Sequence, residues 1–412
     1  MRFIVSKTRV LTLFLLLGLC PEAFPQAVRV SAGLDFGLVC LSDGTVWSWG
    51  DNDFGQLGNG TRIYSKQPVQ VQGISNIVAI SAGEKYALAI GSNGVVWAWG
   101  DNRYGQLGIG KFGGQELFPT EVPGLTNVTA LAAGSKNSLA LCADGAVWAW
   151  GNNDDGQLGD GPQAKERQMK IDEREGIPVY RVGHVDCAAP VRVQSVSNTV
   201  RVAVGAQQGS CLALDKDGNV WSWGSLANGA LGLEDRGMCV TTPRRLLCPT
   251  NVVEIATDTA SVFVQRGGAV YACGYSGYYK YWLQSKSRLR ESDPVLLDGI
   301  TGAKQVALGC SHVLVLREDG AVLTWGDCGS RQLRSSGETN QPALVLGMPK
   351  IVSIAAGGDR SLVLDEKGDV WEWKNEWEWK SNKNVKPVRV VFRKSGIRDV
   401  SRKATNAGDK LD

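Results

Sequence analysis

Few side chains here can do chemistry. The 412 residues hold only two histidines. His184 lies in Gly-His-Val-Asp-Cys, where His184, Asp186 and Cys187 are all metal-ligating types. A lone trio with no second cluster reads as an ordinary loop, so no metal is expected. His312, in Gly-Cys-Ser-His, is the remaining candidate for a general base. Asp154 and Asp155 form a carboxylate pair of the kind a glycosidase needs, but they occupy a loop site that holds Asp53-Phe54 and Arg103-Tyr104 elsewhere in the chain. That variability reads as solvation. Gly55-Gln56-Leu57-Gly58 could cradle a phosphate only if a helix followed to present its N-terminus, and none is indicated. No catalytic residue, no cofactor and no enzymatic activity are therefore expected.

The elements that must position these residues are repeated. The phrase VWSWG (46 to 50) returns as VWAWG (96 to 100), VWAWG (147 to 151), VWSWG (220 to 224), VYACG (270 to 274), VLTWG (322 to 326) and VWEWK (370 to 374). Six steps of 50, 51, 73, 50, 52 and 48 residues separate them, so one copy carries an insertion of about 22. Each copy reads as an inner strand ending in Ala-Gly, a second strand, a tight turn such as Asp43-Gly44, a tryptophan strand and an outer strand that tolerates proline. Such a unit cannot bury both faces alone, whereas seven stacked radially can. The expectation is an all-β seven-bladed β-propeller of four-stranded antiparallel blades over residues 28–401, with an insertion at 162–187 and a frayed tail at 402–412. Residues 397–401 resemble the start of an eighth inner strand, which leaves the closure of the ring open. Trp47, Trp49, Trp97, Trp99, Trp148, Trp150, Trp221, Trp223, Trp325, Trp371 and Trp373 are assigned to the scaffold.

Glycine at 51 residues, tryptophan at 14 and only 21% charged residues fit a turn-rich, aromatic-packed β protein. The net charge of +3 does not point to a nucleic-acid partner. Arg2, Lys7 and Arg9 precede the apolar run Val10 to Cys20, which is too short to span a bilayer and reads as a signal peptide over 1–27, cleaved after Ala27 or Ala23. A secreted or periplasmic monomer is expected. Cys239 and Cys248 are the best local disulfide pair.

The succession Ala-Gly, Asp-Gly, Val-Trp-x-Trp-Gly-x-Asn and Gly-Gln-Leu-Gly resembles the regulator of chromosome condensation repeat over roughly residues 28–401. That resemblance implies a propeller and several unrelated functions: nucleotide exchange, ubiquitin-ligase modules, ultraviolet-B sensing and inhibition of a β-lactamase. The photoreceptor's sensing tryptophans lie just after Ala-Gly, where this chain has Leu34-Asp35-Phe36, Glu84-Lys85-Tyr86 and Ser135-Lys136-Asn137. Exchange on a small GTPase uses a wedge-like insertion in the third blade, and the insertion here lies in the third copy without a recognisable wedge motif. His312 falls on the family's structural histidine after Ala-Gly.

In an antiparallel meander the loops after strands one and three share a face, opposite the Asp-Gly hairpins. That face should carry the insertion and a variable ring: Asp35, Phe36, Phe54, Lys85, Tyr86, Tyr104, Lys136, Asn137, Asp155, Gln207, Gln208, Ser311, His312, Asp359 and Arg360. Aromatics, amides and mixed charges suit recognition of a protein, or of a glycan. An exported, non-enzymatic scaffold binding through this face is expected, with an exchange factor or a β-lactamase-type inhibitor as the alternatives.

Overall fold

A computed structural model describes residues 25–161, 166–171, 178–205, 209–226, 229–233, 239–247, 249–274, 293–326, 342–374 and 387–392. Among them no α-helix occurs, and the strands form seven four-stranded antiparallel sheets plus one hairpin. Blade 1 is Ala27–Ala32, Phe36–Leu41, Val46–Gly50 and Ser65–Gln70. Blade 2 is Ile77–Ala82, Tyr86–Gly91, Val96–Asp101 and Gln115–Glu121. Blade 3 is Val128–Ala133, Asn137–Cys142, Val147–Gly151 and Cys187–Arg192. Blade 4 is Thr199–Val204, Ser210–Asp215, Val220–Ser225 and Cys239–Arg245. Blade 5 is Val252–Thr257, Ser261–Gln265, Val270–Cys273 and Val295–Leu296. Blade 6 is Ala303–Leu308, His312–Arg317, Val322–Gly326 and Ala343–Leu344. Blade 7 is Ile351–Gly357, Arg360–Asp365, Val370–Lys374 and Val388–Arg389.

Burial explains the sequence pattern. The second strand of blade 1, FGLVCL, is buried at every residue because neighbours cover both faces of a blade. Outer strands are half-exposed and carry Pro68, Pro119, Pro190 and Pro243, where the missing N–H faces no further strand. In the Asp-Gly turn of blade 1, Gly44 has φ +76°, and a Cβ there would lie 2.8 Å from Asn76 Cα of the next linker.

Each blade takes its four strands in chain order, blade 3 with the hairpin between its third and fourth, so the ring closes without exchange of a strand between its ends. The inner strand of blade 1 packs on the inner strand of blade 7, and Ala27 N donates to Gly368 O across that seam. Residues 397–401 lie outside the described residues. The third-copy insertion folds in part as a hairpin, Glu166–Ile171 against Pro178–Gly183, which pairs with no blade; Cys187 already opens the outer strand of blade 3.

Candidate functional site

The loops after the first and third strands meet on one face, as a row of backbone bonds shows. Asp51 N donates to Asp35 O (2.9 Å), Asp101 N to Lys85 O (3.0 Å) and Asn152 N to Lys136 O (2.8 Å). The Gly-Gln-Leu-Gly loop is held by its own side chains. Leu57 N donates to Asn52 Oδ1 (2.9 Å) and Phe54 N to Gln56 Oε1 (2.9 Å), with the same pair of bonds at Asn102 and Gln106 and at Asn153 and Gln157. That fixes residue 54, and its counterparts Tyr104 and Asp155, at the rim.

The expected ring divides in two. Phe36, Tyr86, Asn137, His312 and Arg360 are buried, contrary to a surface role. They occupy one position, the first residue of the second strand, and each reaches towards the next blade. The Tyr86 hydroxyl donates to Asn137 O (2.7 Å), contacts Ser138 Oγ (2.8 Å) and accepts from Gly134 N (3.1 Å). Asn137 Nδ2 contacts Cys211 Sγ (3.4 Å), and His312 Nε2 contacts Ser361 Oγ (2.8 Å). Arg360 Nη2 donates to Asp35 O (3.2 Å). The cause is packing: a Cβ at Gly83 would lie 2.3 Å from the Tyr86 ring, and one at Gly309 would lie 2.3 Å from the His312 ring, so these rings sit directly on glycine backbone. Burial pushes His312 down to about 4, so it is neutral near pH 7. These side chains bolt blade to blade.

The rest line the face. Asp35 is exposed, and Phe54, Lys85, Tyr104, Lys136, Asp155, Ser311 and Asp359 are half-buried. Gln207 and Gln208 lie outside the described residues, as does Cys248 of the expected disulfide. The structure brings the site residues together in cross-blade pairs that the sequence did not show. Lys85 Nζ of blade 2 stands 4.9 Å from the centroid of the Phe54 ring of blade 1, with Arg103 Cζ 4.7 Å from the same ring. Lys136 Nζ of blade 3 stands 4.5 Å from the Tyr104 ring of blade 2 and 3.3 Å from its hydroxyl. Arg103 is held by both oxygens of Asp101, and Ser135 Oγ bonds Glu84. Cation–π contacts at such partly desolvated sites contribute about 0.5–2 kcal/mol each and fix the orientation of otherwise mobile side chains. Ile63, Tyr64, Phe112 and Phe118, on blades 1 and 2, are large apolar side chains exposed by 52 to 73%. Sequence reasoning passed over them because they follow no repeated phrase.

No group of three possible metal ligands occurs among the described residues. Asp186 instead ties the end of the insertion to blade 3, accepting from Asn153 N (2.9 Å) and Asn152 Nδ2 (3.2 Å).

The model for the RCC1-like domain matches residues 15–257. Human E3 ubiquitin-protein ligase HERC2 is 29% identical over 377 residues, covering 80% of this chain and 8% of HERC2, so the chain spans a small fraction of that relative's length. The guanine nucleotide exchange factor SRM1 of Saccharomyces cerevisiae is 28% identical over 271 residues, 59% of this chain and 55% of SRM1. Among solved structures, yeast RCC1 (Prp20) bound to Kap60 matches with 26% identity and a TM-score of 0.67 over 83% of this chain and 81% of that one.

Proposed function

The chain belongs to the RCC1-like domain family, and on that premise we propose that it is a non-enzymatic propeller scaffold that binds a protein through the loop face of blades 1 to 3. One observation carries the reading: paired cations and aromatics, Lys85 and Arg103 on Phe54 and Lys136 on Tyr104, stand on that face. Aromatic residues and arginine dominate the energetic centres of protein interfaces, and side chains already fixed in position lose less entropy on binding. Yeast RCC1 (Prp20), bound to Kap60, is a propeller neighbour that engages a protein. We further propose export through the 1–27 segment. Ala27 is buried in the blade 1 core, so cleavage after Ala23 would preserve it.

The test is capture of partners from the secreted or periplasmic fraction, followed by affinity measurement with F54A, Y104A, R103E and a deletion of 163–186. Each variant is expected to weaken the captured complex about tenfold or more, or ~1.4 kcal/mol. Unchanged affinity across the set would remove this face as the site. The alternative is nucleotide exchange, favoured by the likeness to SRM1 and by the third-blade hairpin. Accelerated nucleotide release from any member of a small-GTPase panel, lost on deleting the hairpin, would replace the scaffold reading.

A further inference from the structure

Among the described residues the seams of the ring are not equivalent. At the seams between blades 1 and 2, 2 and 3, and 3 and 4, the second tryptophan of one blade donates its indole N–H to the backbone carbonyl of the glutamine in the preceding blade's Gly-Gln-Leu-Gly loop. The bonds are Trp99 to Gln56 O (2.9 Å), Trp150 to Gln106 O (2.7 Å) and Trp223 to Gln157 O (2.8 Å). Where cysteine replaces the tryptophan, Cys273 Sγ still points to Ala230 O of blade 4. Trp373 has no such bond for its buried indole N–H, and Trp49 departs from the rule in another way. It donates to a side chain, Glu372 Oε2 of blade 7, at 3.1 Å. The same carboxylate pairs with Arg360, whose other nitrogen donates to Asp35 O of blade 1. The Arg360 side chain is 6% exposed and that of Glu372 19%, so these charge-assisted bonds are largely shielded from water.

The end of blade 7 adds one further contact across the same seam. Val388–Arg389 pairs with Trp371 and Glu372, Val390 N donates to Val370 O (2.8 Å), and the Phe392 ring lies edge-on to Trp47 (6.4 Å) and Trp49 (6.3 Å) of blade 1. Residues 387–392 thus run as a strap from the outer edge of blade 7 onto blade 1. Pro25, Gln26, Lys367, Arg389 and Phe392 contribute to a cleft of about 510 Å³ between strap, turn and blade 1 entry.

We infer that the seam between blades 7 and 1 is a side-chain latch, closed by Glu372 bridging Arg360 and Trp49 and by Phe392 of the strap, and that it opens locally before the propeller unfolds. Elsewhere, blades that separate stay tethered by the linker from an outer strand to the next inner strand. Blades 7 and 1 are not consecutive, so opening there releases more conformational freedom. Local openings of this kind cost less than global unfolding and appear as fast hydrogen exchange. The latch is a property of this ring's closure and does not depend on which partner binds.

Indole and backbone exchange in the full chain, labelled at tryptophan and alanine, tests it. Trp49 Nε1–H should exchange at least tenfold faster than the indoles of Trp99, Trp150 and Trp223. Glu372→Gln keeps an acceptor oxygen for Trp49 but loses the ion pair. It should speed both Trp49 and the Ala27 amide, which Glu372 does not touch, a further tenfold while leaving the other three within twofold. Phe392→Ala should do the same. Equal protection of all four indoles in the unmodified chain would overturn the latch. So would a uniform rise at all four in either variant.

Discussion

Tyr86 and His312 show how one position decides between surface and seam. Both follow Ala-Gly or its equivalent, where side-chain type varies from copy to copy in a way that resembles a binding surface. In the fold their rings lie over Gly83 and Gly309 and reach Ser138 and Ser361 of the next blade. The three polar contacts of the Tyr86 hydroxyl make it the best satisfied of these bolts. Tyr86→Phe keeps the ring and removes the hydroxyl, while Gly134 N keeps its bond to Asn137 O (2.9 Å); a loss of about 0.5–1.5 kcal/mol is expected from denaturant unfolding. A change below ~0.5 kcal/mol would mean that the ring, not the hydroxyl, makes the seam. Substitution at these positions should damage stability before it damages binding, whereas Phe54 and Tyr104 should do the reverse.

The insertion is the element most separable from the ring. Its hairpin pairs Glu166 with Gly183 through Ile171 with Pro178, and neither strand bonds a blade. Blade 3 takes its outer strand from Cys187–Arg192, so its four-strand order survives without the hairpin. Replacing 163–183 with a short Gly-Ser linker should leave the melting temperature within about 2 °C, the shift expected from well under 1 kcal/mol in a domain of this size. A larger fall would show that the hairpin supports the blades. The tryptophan strand behaves oppositely. Its second indole is fully buried in blades 2, 3 and 4 and hydrogen-bonded to the preceding blade, so the repeated phrase binds blades as well as filling them.

At the scale of the ring, the buried His312 and the half-buried Glu254 give stability opposite pH slopes. His312 is pushed from its ordinary 6.5 to about 4 by burial. Its contribution is whole above pH ~6.5 and is lost as pH falls towards 4, because the unfolded chain takes up the proton first. Burial pushes Glu254 up to about 7 against the lowering effect of the Arg201 guanidinium, 3.3 Å away. Its contribution is present below pH ~4.5 and is lost as pH rises through 7. His312→Tyr copies the Tyr86 bolt onto an equivalent serine. Urea unfolding between pH 7 and 4.5 should then show a shallower acid loss than in the unmodified chain, and an identical slope would exclude His312 as its source.

The sequence determined the architecture because a propeller is local: each blade is built from strands taken in chain order, and its turn glycines, alternating strands and paired tryptophans report nearest-neighbour packing. The face carrying the insertion was legible for the same reason, since strand alternation alone assigns each loop to an end. Tertiary structure alone decided what the loop residues do. Phe36 and Phe54 look alike in sequence, but one lies beneath the next blade and the other stands at the rim beside Lys85. The cross-blade pairs join residues some thirty positions apart whose association depends on the stacking angle of whole sheets. The closing seam was likewise invisible, because Glu372 and Trp49 are 323 residues apart and meet only when the ring is complete.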